Sequence, residues 1–158
     1  SCNIIHTIHQ PTFDISDFDQ ETKNKSFIAY VEGSDLTYNS SYVKGSKISA
    51  KVKKLGTYKV VQDKIAPKIY GASFEKGKTI DTSKTISIKI SDNLSGIDSY
   101  NAYLNGKWIL MEYDYKTNKL VHNLSDNIYV KGINEFKLIV KDKMNNSAVF
   151  ESNFIKNN

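Results

Sequence analysis

The feature that most constrains this chain is Asn105-Gly106, set between two runs that alternate apolar and polar residues. A two-residue type I′ turn needs positive φ at both central positions, and Asn-Gly is the pair that reaches it most easily. The stretch from Asp92 to Asp114 therefore predicts a polar loop, a strand, a tight turn and a second strand rich in aromatics. Similar alternation recurs elsewhere. Ile86, Ile88 and Ile90 alternate with Ser87, Lys89 and Ser91, and Phe136, Leu138 and Val140 with Lys137, Ile139 and Lys141. Period-two patterning broken by Gly, Asn, Asp and Ser clusters is the signature of an all-β chain. Only Ser16 to Lys25 could hold a helical turn, with Ser16 or Asp17 as its cap and Glu21 early in it.

Gln62-Asp63-Lys64-Ile65-Ala66-Pro67 reads as a junction, since Pro67 cannot donate to a ladder and biases Ala66 toward an extended conformation. The expected organisation is a small β-sandwich-like domain over 1–64 and an immunoglobulin-like sandwich of about seven strands over 65–158. In the first, strands are expected near 4–9, 26–32, 36–42, 47–53 and 57–62. In the second they are expected near 68–74, 85–91, 98–104, 107–115, 118–123, 134–141 and 148–155.

Composition narrows the function. The formal net charge is +5, yet every cationic residue is a lysine, spread along strands and turns and dense only over Lys51 to Lys54. Without arginine the chain lacks the preferred bidentate reader of bases and phosphates, so nucleic acid is not an expected partner. No apolar run approaches the ~20 residues a membrane span needs. Cys2 is the lone cysteine, so no disulfide can form within the chain. Ser1-Cys2 is either an incidental pair or the remnant of a lipidation site.

A resemblance rests on several phrases in a fixed order. They are Ser41-Tyr42-Val43-Lys44-Gly45, Leu55-Gly56-Thr57-Tyr58 and Asp63 through Pro67. Then come Asp92 through Ile97, Asn105-Gly106-Lys107-Trp108 with Met111-Glu112-Tyr113-Asp114, and Asp142 with Asn145 and Asn146. Together they resemble the C-terminal β-sandwich region of Bacteroidetes-type M23 (lysostaphin-type) zinc metallopeptidases, over residues 26–155. The resemblance implies a non-catalytic accessory region of a secreted, periplasmic or cell-surface peptidase. Its partners would be its own upstream catalytic domain and peptidoglycan or another cell-surface glycan. The M23 zinc site resembles an H-x-x-x-D segment plus a downstream H-x-H, and this chain is expected to hold neither. No catalytic residue carries over, and zinc is expected only in the absent peptidase domain. The alternative is a glycan- or protein-binding module of a bacterial surface adhesin.

Three groups of residues could still carry chemistry. His6 and His9 are three apart, which on a strand points them to opposite faces and away from a shared ion. Asp63, Asp92 and Asp142 should meet at one end of the second sandwich, with Asn93, Asp98, Asn145 and Asn146 nearby. Converging oxygen donors suit calcium, while the same residue types also fix turns through their own backbone. Trp108, Tyr113 and Tyr115 are the candidate ligand-binding aromatics, with Tyr100 and Tyr103 on the same hairpin. Alternation puts Trp108 and Leu110 on one face and Ile109, Met111, Tyr113 and Tyr115 on the other. Either Trp108 is the core anchor that such a sandwich commonly uses, or it belongs to a platform on which sugar rings stack. A serine-type catalytic triad is not specified, and His122 is the only histidine beyond the N-terminal pair.

Overall fold

The computed structural model describes residues 5–6, 10–126 and 129–157, and is all-β apart from one helical turn and one short 3-10 turn. The chain forms two compact units. The first holds Ser1–Ile65 with Asn93–Gly96 and Lys143–Asn146, and the second holds Ala66–Asp92, Ile97–Asp142 and Ser147–Asn158. No helix among the described residues is long and apolar enough to cross a membrane.

The first unit packs two antiparallel sheets. One has the order β1 (Ile5–His6), β7 (Thr57–Gln62), β3 (Ser26–Glu32), β4 (Asp35–Asn39). The other has the order β2 (Thr12–Asp14), β6 (Lys47–Ala50), β5 (Ser41–Lys44). Their core joins Phe13, Ile15, Ile48, Ala50 and Val52 to Ile28 and Tyr58. Gly56 is required by a close approach, because a Cβ there would lie 2.5 Å from the Tyr30 ring.

Three expectations need correction in this unit. The run read as one strand over 36–42 is two, β4 and β5, in different sheets. The cause is Ser41, whose Oγ accepts from the Ile28 amide at 2.8 Å and donates to the Asn39 carbonyl at 2.8 Å, replacing ladder bonds where the chain leaves the sheet. The helix α1 spans Gln20–Asn24 and is capped by Asp19, whose Oδ1 accepts from the Thr22 amide at 2.7 Å, rather than by Ser16 or Asp17. β2 is an additional strand, too short to show a period.

The second unit is an immunoglobulin-like sandwich. One sheet has the order β11 (Lys107–Ile109), β10 (Ile97–Leu104), β14 (Gly132–Asp142), β15 (Ser147–Lys156). The other has the order β12 (Glu112–Asp114), β13 (Lys119–Asn123), β9 (Thr85–Ser91), β8 (Lys68–Tyr70). The expected alternations hold: Ile86, Ile88 and Ile90 from one sheet meet Phe136, Leu138 and Val140 from the other in a continuous core. Phe74 adds edge-on ring contacts to Phe136 and Phe154, at 5.4 and 5.2 Å between centroids. Asn105 and Gly106 have φ of 52° and 76°, the tight turn the sequence requires.

The expected strand over 107–115 is again two. β11 pairs with β10, while β12 pairs with β13 in the opposite sheet. The chain changes sheets at Leu110 and Met111, yet keeps the same side toward the core throughout, with Ile109 and Met111 both buried. At this crossing the Leu110 carbonyl leaves the ladder, and the buried His122 ring donates to it from Nδ1 at 2.9 Å.

Candidate functional site: the outer face of the second unit

The crossing decides where the aromatics go. Trp108 and Leu110 are 56% and 57% exposed, so Trp108 is not a core anchor. The aliphatic side of the run fills the core, and the tryptophan side is left outside. Tyr113 lies in the other sheet, half-buried against Tyr100 with ring centroids 5.8 Å apart, and its hydroxyl donates to Asn118 Oδ1 at 3.1 Å. Burial, helped by the Tyr100 and Tyr70 hydroxyls and Asp114, holds the Tyr113 phenol above its ordinary pKa. Tyr115 is 72% exposed beyond the end of β12. Trp108, Tyr113 and Tyr115 therefore do not form one platform, contrary to the single-hairpin reading.

Trp108 keeps Tyr103, its neighbour on the expected hairpin, and gains two further partners that no local pattern groups with it. Register places it opposite Tyr103, Tyr103 opposite Lys137, and Lys137 opposite Glu151. These four side chains form one row across β11, β10, β14 and β15, on the face turned away from the core. Four adjacent strands make such a row roughly 14 Å long. Lys137 Nζ and Glu151 Oε1 are 2.8 Å apart and largely exposed. Alongside this row lies a groove of about 620 Å³, lined by Tyr103, Lys137 and Glu151 together with Lys76, Glu135 and Asn153. Its volume lies in the usual range for small-ligand clefts, about 300–1,000 Å³.

The remaining candidates resolve as follows. Asp63 and Asp142 are each 1% exposed, and Asp92 is half-buried. Asp63 belongs to the first unit, Asp92 and Asp142 to the second. Asp63 fixes loop backbone, accepting from the Ile65 amide at 3.1 Å and the Ser95 amide at 3.0 Å. Carboxylate oxygens are of the type calcium takes, and equally of the type that holds turns. The side chains of His6 and His9, and Cys2, lie outside the described residues.

The expectation that no H-x-x-x-D segment exists is incorrect, because His122 and Asp126 have that spacing, half of the M23 zinc pattern. His122 is 2% exposed and committed to the Leu110 carbonyl, a structural role. Asp114 holds the turn after β12. It accepts from Thr117 Oγ1 at 2.7 Å and from the Lys116 amide at 2.9 Å. These bonds, the Thr117 hydroxyl first, keep its carboxyl below the usual value.

No protein-family model matches this chain, and no curated protein matches it. Among solved structures it is similar to the fibronectin(III)-like modules of Clostridium thermocellum CbhA, at 12% identity and a TM-score of 0.44, over 89% of this chain and 82% of that one.

Proposed function

We propose that this chain is a non-catalytic accessory region of a secreted or cell-envelope peptidase of the M23 type, and that it targets the enzyme by holding cell-wall glycan on the outer face of its second unit. The observation that carries this reading is Trp108, 56% exposed on the outer sheet face and paired across strands with Tyr103. A large apolar ring left in water stabilises nothing by burial, and its contribution is realised when a ligand covers it. Sugar rings suit it, because they offer a C–H face to the aromatic and hydroxyls to the polar neighbours.

The peptidase association rests on the ordered phrases from Ser41 to Asn146, and the zinc chemistry belongs to the catalytic domain. This chain contributes attachment, and with it a raised local concentration of substrate bonds around the enzyme. The location that follows is outside the cytoplasm: secreted, periplasmic or on the cell surface.

The test is co-sedimentation of the chain with purified peptidoglycan at low and moderate salt. Trp108→Ala and Lys51→Glu/Lys53→Glu variants run alongside, each checked for folding. Salt-resistant binding lost in Trp108→Ala is the expected result. Binding that survives Trp108→Ala but disappears with salt or in the lysine variant would replace the aromatic face with a charge patch. Absence of binding at either salt would overturn the targeting role.

A further inference from the structure

The groove beside the Trp108 row has a charge pattern unlike that of the chain. The whole protein carries +5, but the groove sets Lys76 and Lys137 against Glu135 and Glu151, which cancel. A polyanion would be drawn to the lysine-rich regions elsewhere and would meet two carboxylates here. The Lys137–Glu151 pair is exposed, and such pairs contribute at most about 1 kcal/mol to folding. It can exchange partners with a ligand at little cost to the fold. An ammonium and a carboxylate held 2.8 Å apart provide donors and an acceptor suited to a pair of neighbouring hydroxyls. Asn153, whose Oδ1 already accepts from the Gly77 amide at 2.9 Å, adds its Nδ2 donor.

We infer that this groove is a sugar subsite, and that the ligand it takes is an uncharged sugar chain rather than an anionic wall polymer. Rings would stack along Trp108 and Tyr103 while the Lys137–Glu151 pair bonds the hydroxyls of the next ring. This inference rests on the proposed glycan-binding role and specifies the ligand class of the same face. The sequence contains a single tryptophan, so its emission reports this row alone.

The experiment is a fluorescence titration of the full chain with a short chitin oligomer, and separately with polyglutamate as the polyanion. Tyr103→Ala, Lys137→Met and Glu151→Gln are titrated in parallel, and the oligomer is also used to compete in the peptidoglycan sedimentation assay. The expected result is a saturable, salt-insensitive change with the oligomer, weakened about tenfold or more in Tyr103→Ala and to a lesser degree in the other two variants. Polyglutamate should leave the emission unchanged.

An emission change with polyglutamate that salt abolishes would overturn the inference. So would sedimentation that depends on Trp108 while the oligomer neither shifts emission nor competes, and in that case the targeting role would stand. Oligomer binding with no sedimentation would do the reverse, leaving the subsite and removing the targeting role. Oligomer affinity unaltered in all three variants would place the sugar away from the groove and overturn it as well.

Discussion

Each unit contains a run that reads as one strand and folds as two, and the two crossings differ in a way that explains where the exposed aromatics lie. In the first unit the break comes at Ser40, and the Ser41 hydroxyl takes over the freed Ile28 amide and Asn39 carbonyl. In the second it comes at Leu110, and the partner is a buried side chain from another strand, His122. The first crossing satisfies its backbone locally and leaves Tyr42 and Val43 exposed beside it. The second is pinned from inside the core by Ile109, Met111 and His122, which leaves Trp108 fixed on the outer face. A buried histidine in an all-β module invites a catalytic reading. The comparison assigns it to the same task that a serine performs in the other unit.

The largest effects should come from the core anchors of the second crossing. Ile109→Ala or Met111→Ala should cost about 2–5 kcal/mol in urea denaturation, since both are buried on the side facing the other sheet. A cost below 1 kcal/mol for both would mean the crossing is not held there. His122→Leu comes next, because it removes the donor to the part-buried Leu110 carbonyl. The expected loss is about 1–3 kcal/mol. Ser41→Ala should be milder, about 1 kcal/mol. If Ser41→Ala proved the costlier of the two, the ranking of the crossings would be reversed.

A pH effect should be smaller again. The folded pKa of Asp114 is held below its ordinary value by the Thr117 and Lys116 bonds. A depressed carboxylate stabilises the fold above its unfolded pKa and loses that contribution as pH falls through the folded one. Asp114→Asn should therefore flatten part of the fall in melting temperature below about pH 4. An acid transition identical to that of the parent chain would show that this turn does not contribute. Trp108→Ala should alter stability least, within about 0.5 kcal/mol.

The sequence revealed most of the strands and little of the Trp108 row. Ser26–Glu32, Thr57–Gln62 and Thr85–Ser91 are legible to the residue, because each carries β-branched or aromatic residues bounded by turn formers. The Asn105-Gly106 turn is legible because few pairs tolerate positive φ twice. Alternation along 107–114 correctly separates the two sides of the chain, but it cannot tell which side is the core. The aliphatic pair Ile109 and Met111 takes the interior, and Trp108 is displaced outward. The groove was not legible, since Tyr103, Lys137 and Glu151 become neighbours only through register across three strands. No local pattern encodes that register.

The most direct test compares Trp108→Ala with Tyr113→Ala in the peptidoglycan sedimentation assay, on variants shown to be folded. The two aromatics are five residues apart in one run, yet they lie in opposite sheets. Loss of binding in Trp108→Ala, with binding retained in a moderately destabilised Tyr113→Ala, is the predicted result. Equal loss in both variants, or retention in both, would contradict the assignment of the ligand face to the Trp108 row.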